Sequence, residues 1–314
     1  HGMIRTAHGG KATTARVNLG PLIDGEKAVM RFIGGRDDLS LASLGMNETD
    51  LKIVKRALKK PFGLILAAGQ DGSGATTTLY ALLNILQERG ISAASIEDPI
   101  ERDLGGVSQI QIDPKAGITF AAGLREIVRH HREAVMVGEL RDEETARIAL
   151  SAAANGQRLL SRLHADTAMS AIMRLLDMNI EPFLVSTALN LIIAQRLVRK
   201  ICLQCAESAT LEVREAKAAG MPESLIKRVF GGKKSLKVSS GGKCADCRLT
   251  GYAGRIGIFE VIETTEGLRK LVKRGAHEEI VRETVRGETA LWEDGIQKVI
   301  DGHTSFAELA RVMR

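Results

Sequence analysis

Residues 63–77 read Gly63-Leu64-Ile65-Leu66-Ala67-Ala68-Gly69-Gln70-Asp71-Gly72-Ser73-Gly74-Ala75-Thr76-Thr77, and this stretch decides the fold. Residues 63–68 form an apolar, strand-like run. Residues 69–77 fit the phosphate-loop pattern GxxxxGK[ST] at Gly69, Gly74 and Thr76, with Ala75 where the lysine belongs. A helix-like run follows from Thr76 to Gln87, with apolar Leu79, Leu82, Leu83 and Leu86. Strand, glycine-containing loop and helix, in that order, make the motif credible. The glycines let backbone N–H groups converge on phosphate oxygens, and the helix start adds positive potential. The nucleotide-binding set is therefore Gly69, Gly72, Ser73, Gly74, Ala75, Thr76 and Thr77. What is missing is the point charge that meets the β- and γ-phosphates.

Working outward, apolar and periodic segments alternate. Strands are expected at 64–68, 92–96, 134–138 and 158–163, with helices near 76–88, 119–129 and 142–154. That alternation implies an α/β fold with a mainly parallel, doubly wound sheet. Two more helices are expected at 168–178 and 182–199. The apolar stretch Phe183 to Val198 carries Asn190, Gln195 and Arg196, which suits a core helix. No run reaches the ~18 apolar residues of a membrane span. Upstream, 14–33 reads as two strands, 34–38 as a polar linker, and Asn47 to Asp50 as a helix start. Downstream, 201–250 holds every cysteine. Residues 264–314 read as short helices, including Gly267 to Arg274, Glu278 to Arg286 and Ser305 to Met313.

A chain of 314 residues suggests about two domains. Aromatic residues are only 3%, so the core must be mostly aliphatic. The net charge of +6 comes without a basic block interleaved with aromatics. It reads as a solvated surface, and direct nucleic-acid binding is not expected. Residues 1–11 are polar and unlike a secretory leader, and His1-Gly2-Met3 is compatible with a tag scar on a fragment. Cytoplasm is the default compartment.

Cys202-x2-Cys205 and Cys244-x2-Cys247 use all four cysteines. Two such pairs supply four thiolates for tetrahedral Zn²⁺, and a site with no spare ligand position is structural. The alternative is four unrelated buried or redox cysteines. Acids stand at the expected strand ends: Ile96-Glu97-Asp98-Pro99-Ile100-Glu101, and Val135-Met136-Val137-Gly138-Glu139. Beside a phosphate loop, such acids place Mg²⁺ or water; alone, they are a turn and a surface glutamate. His164 ends the next strand, on the sheet edge where ligands bind in doubly wound folds.

Taken together, these motifs resemble the ATPases that power type II protein secretion and type IV pilus assembly, over nearly the whole chain. Residues 69–82 resemble their Walker A segment, 96–101 their acidic box, 136–142 their Walker B and Leu163-His164 their histidine box. Ser170 to Leu175, Ile193 to Leu197, Gly251-Tyr252, Gly254-Arg255 and Glu293-Asp294-Gly295 also match. The cysteine unit favours secretion or assembly over pilus retraction. The resemblance implies a RecA-like domain in a homo-hexameric ring motor using ATP and Mg²⁺. It assigns Glu101 as the general base, Glu139 as organiser of Mg²⁺ and water, Thr76 as a Mg²⁺ ligand and His164 as a catalytic-site residue. Arg16 and Arg31 match two arginine-bearing strands that reach the γ-phosphate. Partners would be inner-membrane platform proteins, with membrane association only through them, at the cytoplasmic face of the inner membrane. The implied division is 1–33 as the end of an arginine-bearing subdomain, 34–43 as linker, and 44–200 as RecA-like core. Residues 201–250 would be the zinc-binding subdomain and 251–314 a C-terminal helical region.

Departures from that pattern cluster at the nucleotide. Ala75 replaces lysine, Gln70-Asp71 stands where Pro-Thr is usual, and Arg162 stands where a small residue is usual. Gly156-Gln157 and His131-Arg132 also differ. Slow or absent hydrolysis is expected, and a non-hydrolysing nucleotide-binding or scaffold subunit of the same machine is the alternative.

Overall fold

The computed structural model describes residues 2–8, 11–33, 39–275 and 288–313. A three-stranded antiparallel sheet comes first: β1 (Gly2–His8), β2 (Lys11–Leu22) and β3 (Gly25–Ile33). The two expected strands are β2 and β3. The polar linker 34–38 lies outside the described residues.

After α1 (Glu48–Ala57) the chain builds a seven-stranded sheet. Its parts, in chain order, are β4 (Gly63–Ala68), α2 (Ala75–Glu88), β5 (Ala93–Glu97), β6 (Ser108–Gln111), α3 (Phe120–Arg129), β7 (Ala134–Val137), α4 (Glu143–Ala154) and β8 (Arg158–Leu163). Then come α5 (Ala168–Asp177), α6 (Pro182–Ala188), β9 (Leu189–Ile201) and, further on, β12 (Tyr252–Glu263). The strand order is β12-β9-β4-β8-β7-β5-β6, with only β12 antiparallel to its neighbour. Strands β4, β5, β7 and β8 therefore end on one edge.

Period-two alternation sorts β4 between two apolar layers. Leu64, Leu66 and Ala68 pack with α3, α4 and α5 through Leu124, Ile127, Ala149, Leu150 and Ile172. Ile65 and Ala67 pack with α1 and α2 through Val54, Leu79, Leu82, Leu83 and Leu86. All six residues of β4 are buried, so this strand reads as an unbroken apolar run.

The expected helix over 182–199 is corrected. Only Pro182–Ala188 is helical; Leu189–Ile201 is a strand, held parallel to β4 and antiparallel to β12. Residues 189–195 are all buried. A central strand covered on both faces has no polar stripe, so its continuous apolar run resembles a buried helix. The expectation of a helical region from residue 251 is corrected at its start as well. Residues 252–263 are β12, where Ile256, Ile258 and Phe259 are buried against β9 and its flanking layers. The expected helix from Glu278 to Arg286 lies outside the described residues.

Residues 206–241 form a two-stranded sheet, β10 (Ala206–Glu212) with β11 (Ser235–Gly241), and two helices, α7 (Val213–Ala218) and α8 (Glu223–Phe230). Leu211, Leu225, Ile226 and Phe230 share one apolar cluster with Trp292, Ile296 and Leu309. The last three come from α10 (Glu288–Ile300) and α11 (Phe306–Met313), which follow α9 (Glu266–Lys273). No helix among the described residues is long and apolar enough to cross a membrane.

Candidate functional site: a glycine loop beside a charged sheet edge

The loop from Gly69 to Gly74 links β4 to α2. Gly72 and Gly74 adopt φ of 81° and 88°, the left-handed region that glycine enters without steric cost. Gly74 caps α2, and no side chain hydrogen-bonds the first-turn N–H groups there. By contrast, Asn47, Thr119, Asp142 and Thr167 cap α1, α3, α4 and α5 with their side chains. Orphan donors at a helix start suit an anion. A Cβ on Gly69 would lie 2.3 Å from Ser73 Oγ, so the loop closes tightly only with glycine at that position. Ser73 is 7% exposed and its Oγ is buried without a hydrogen-bond partner. This cradle fits a phosphate. Ala75 opens α2 and is buried in the aliphatic layer, while Thr76 and Thr77 are half-buried in the first turn.

Gln195 braces the loop from β9. Its Nε2 donates to Ser73 O at 2.8 Å, and its Oε1 accepts from Thr78 Oγ1 at 2.7 Å. Sequence reading missed this residue because its segment was assigned to a helix.

Glu139 follows β7 and is 7% exposed. Its Oε2 accepts from Arg141 Nε at 2.9 Å and from Arg162 Nη2 at 3.0 Å, and His164 Nε2 lies 3.0 Å from its Oε1. Arg162 Nη2 also reaches Asp71 Oδ1, inside the glycine loop between β4 and α2, at 3.1 Å. Gln70 Oε1 lies 3.5 Å from His164 Nδ1, and its Nε2 donates to Asp166 Oδ1 at 3.0 Å. The structure thus gathers Glu139, His164, Arg162 and the loop on one edge. Burial works to lower the Arg141 pKa, but the Glu139 and Asp98 carboxylates outweigh it and hold the guanidinium charged.

The acidic box divides into two roles. Glu97, at the end of β5, is 2% exposed. Its carboxylate accepts from the Tyr80 hydroxyl, from Ser95 Oγ at 2.6 Å and from Gln109 Nε2 at 3.0 Å. Burial, followed by the Glu97 charge, pushes the Tyr80 hydroxyl above the usual phenol range, so it stays a donor. Glu101 lies in the half-buried loop beyond, and its backbone N–H donates to Tyr80 Oη at 3.1 Å. Sequence reading did not single out Tyr80, and it named Glu97 only as one acid of the strand-end box.

Arg16 and Arg31 stand directly opposite each other in the β2–β3 register, on the small sheet rather than the seven-stranded one.

The four cysteines converge. Sulfur–sulfur distances are 3.8 Å for Cys202–Cys244, 3.7 Å for Cys205–Cys247 and 3.5 Å for Cys244–Cys247, and all four sulfurs lie within 4.8 Å of one another. Four sulfurs around zinc at ~2.3 Å are ~3.8 Å apart along each tetrahedral edge. The donor set therefore fits a Cys₄ zinc site. Backbone hydrogen bonding at Cys244, joined by Gly251 N–H, lowers the Cys247 thiol to about 6, while burial pushes the Cys205 thiol up to about 12.

A family model described as "Type II/IV secretion system protein" matches residues 1–311. The type II secretion system protein E of Aeromonas hydrophila is 40% identical over 318 residues, covering 100% of this chain and 61% of that protein. The type IV pilus assembly ATPase PilB of Myxococcus xanthus is 39% identical over 305 residues, covering 96% of this chain and 53% of the relative. The chain thus spans little more than half the length of these relatives. The ATPase DotB of Legionella pneumophila superposes with a TM-score of 0.66 at 18% identity, over 98% of this chain and 75% of that one, which shows a shared fold. On its sequence and its parallel-rich α/β architecture, the chain belongs to the Type II/IV secretion system protein family, that of the type II secretion and type IV pilus assembly ATPases.

Proposed function

We propose that this chain is the nucleotide-binding motor part of a type II secretion or type IV pilus assembly machine, working as one subunit of a homo-hexameric ring, with hydrolysis impaired by Ala75. One observation carries the reading: a glycine cradle around the unpartnered Ser73 Oγ, at the uncapped head of α2, faces the Glu139 edge. ATP phosphates would lie on the backbone donors of 72–77. Thr76 would hold Mg²⁺, which neutralises phosphate charge when bound. Glu139 would orient the metal's water, Glu101 would accept the proton of the attacking water, and His164 would steady Glu139. Arg16 and Arg31 would approach the γ-phosphate from the small sheet. Zn²⁺ at Cys202, Cys205, Cys244 and Cys247 would be structural. The ring would act at the cytoplasmic face of the inner membrane, docked on platform proteins and without direct contact to nucleic acid.

A second reading, a non-hydrolysing nucleotide-binding or scaffold subunit, is favoured by the missing lysine. Titration of labelled ATP, with phosphate release measured in Mg²⁺, separates the two. Binding with slow release supports the motor; binding with no release supports the scaffold. Absence of binding both in this chain and after Ala75→Lys overturns the nucleotide site itself.

A further inference from the structure

The phosphate loop lacks one positive charge, and the neighbouring strand carries another. Arg162 pairs with Ala67 of β4, one residue before β8 ends. Leu160, two residues earlier, belongs to the apolar layer that α2 covers, so Arg162 rises on the α2 side of the sheet. Its side chain is 16% exposed, and its Nε is buried without a hydrogen-bond partner.

Its two carboxylate partners differ. The Glu139 side chain is 10% exposed, whereas that of Asp71 is 78% exposed. An exposed ion pair contributes little and exchanges readily; a buried one holds its partner in place. His164 Nε2 lies 2.9 Å from Arg162 Nη2 and 3.0 Å from Glu139 Oε1, on the buried side of the guanidinium. Arg162 is thus fixed at its Glu139 side and loosely held at its phosphate-loop side. An aspartate beside Gly72 repels phosphate, and a half-buried arginine without acids is unfavourable. Each residue makes sense once the other is present.

We propose that Arg162 is the phosphate-binding cation of this site, parked on Asp71 until a nucleotide phosphate takes the place of that carboxylate. The proposal rests on the nucleotide-site reading above. A guanidinium suits the task because its planar fork of donors matches phosphate oxygens and stays charged at any physiological pH. Ala75 brings no charge to the head of α2, and Ser73 Oγ in the same cradle has no hydrogen-bond partner.

The test is a titration of fluorescent ADP and ATP, with Mg²⁺, into the chain and its variants, with thermal unfolding recorded for each. Arg162→Ala should weaken binding about tenfold to hundredfold, the scale of a charge-assisted hydrogen bond. Arg162→Lys should retain most of the affinity, and Asp71→Asn should tighten binding. In the Ala75→Lys background the loss from Arg162→Ala should shrink to about threefold or less, because lysine then supplies the charge. A purely structural arginine would cause equal losses in both backgrounds, and that result overturns the proposal. So does undiminished binding by Arg162→Ala. Should Arg162→Ala fail to fold, Arg162→Lys and Asp71→Asn decide: no tightening by Asp71→Asn overturns the proposal. If the chain binds nothing while Ala75→Lys binds, Arg162 is not the cation and the nucleotide site stands. If neither binds, both readings fall.

Discussion

The backbone N–H of Glu101 donates to the hydroxyl of Tyr80 at 3.1 Å, so the loop after β5 hangs from the helix that follows the glycine loop. Tyr80 sits on α2, and its hydroxyl is in turn fixed by the buried Glu97 carboxylate. Movement at the head of α2 therefore reaches Glu101 through one side chain. Tyr80→Phe should lower stability by about 1–2 kcal/mol, the scale for a buried carboxylate losing one donor. It should also slow phosphate release while leaving nucleotide affinity within about threefold. Chemical denaturation and parallel binding and release assays check both halves.

Ala75→Lys should raise ATP hydrolysis by roughly a hundredfold, equivalent to about 2.7 kcal/mol of barrier. Adding Asp71→Thr should raise it further by removing a negative charge beside the phosphates. Phosphate release under saturating Mg²⁺ and ATP is the measurement. Equal rates in the chain and in Ala75→Lys would mean that Arg162 serves the transferring phosphoryl group as fully as a loop lysine, beyond the binding role proposed for it above.

The cysteine cluster should carry one zinc per chain when purified without chelator. Cys244→Ser should abolish stoichiometric zinc and increase amide exchange across 201–250. The strands β4, β7 and β8 should stay protected, because their apolar layers draw on none of these residues. Elemental analysis and hydrogen exchange report the two effects.

Glu308 gives a pH-dependent contribution with a definite sign. It is 1% exposed on α11 and accepts from Arg199 Nη2 and Arg311 Nη2, each at 2.7 Å. Burial works to raise its pKa, but the Arg311 and Arg199 hydrogen bonds outweigh it and bring the value down to about 2. A depressed carboxyl pKa stabilises the fold above its unfolded value, near 4.3, and that contribution fades as pH falls toward 2. Glu308→Gln should therefore cost about 1.5–3 kcal/mol at pH 7 and progressively less below pH 4. Unfolding midpoints across that range test it.

Most of the sheet was legible from residues 63–163, because apolar runs alternating with amphipathic ones leave few topologies open. The cradle was legible too, since Gly69, Gly72 and Gly74 serve a backbone shape and their spacing states it directly. The cysteine pairs showed by their spacing that four sulfurs could meet, and the fold brings all four within 4.8 Å of one another. Position 75 likewise showed in sequence that a charge is missing.

Tertiary structure decided the rest. Residues 189–201 are a strand only because β4 and β12 flank them, and a doubly covered strand carries no local pattern that separates it from a buried helix. Gln195 thereby reaches Ser73, which is 122 residues away in sequence. Glu97 and Glu101 look alike in one acidic box, yet the fold buries the first among three donors and leaves the second in the loop. Arg162, Asp71 and Glu139 meet because parallel strands end on one edge, a proximity set by strand order. Sequence determined which chemical groups the chain owns and where its backbone turns; packing of distant strands decided which of those groups can exchange a charge.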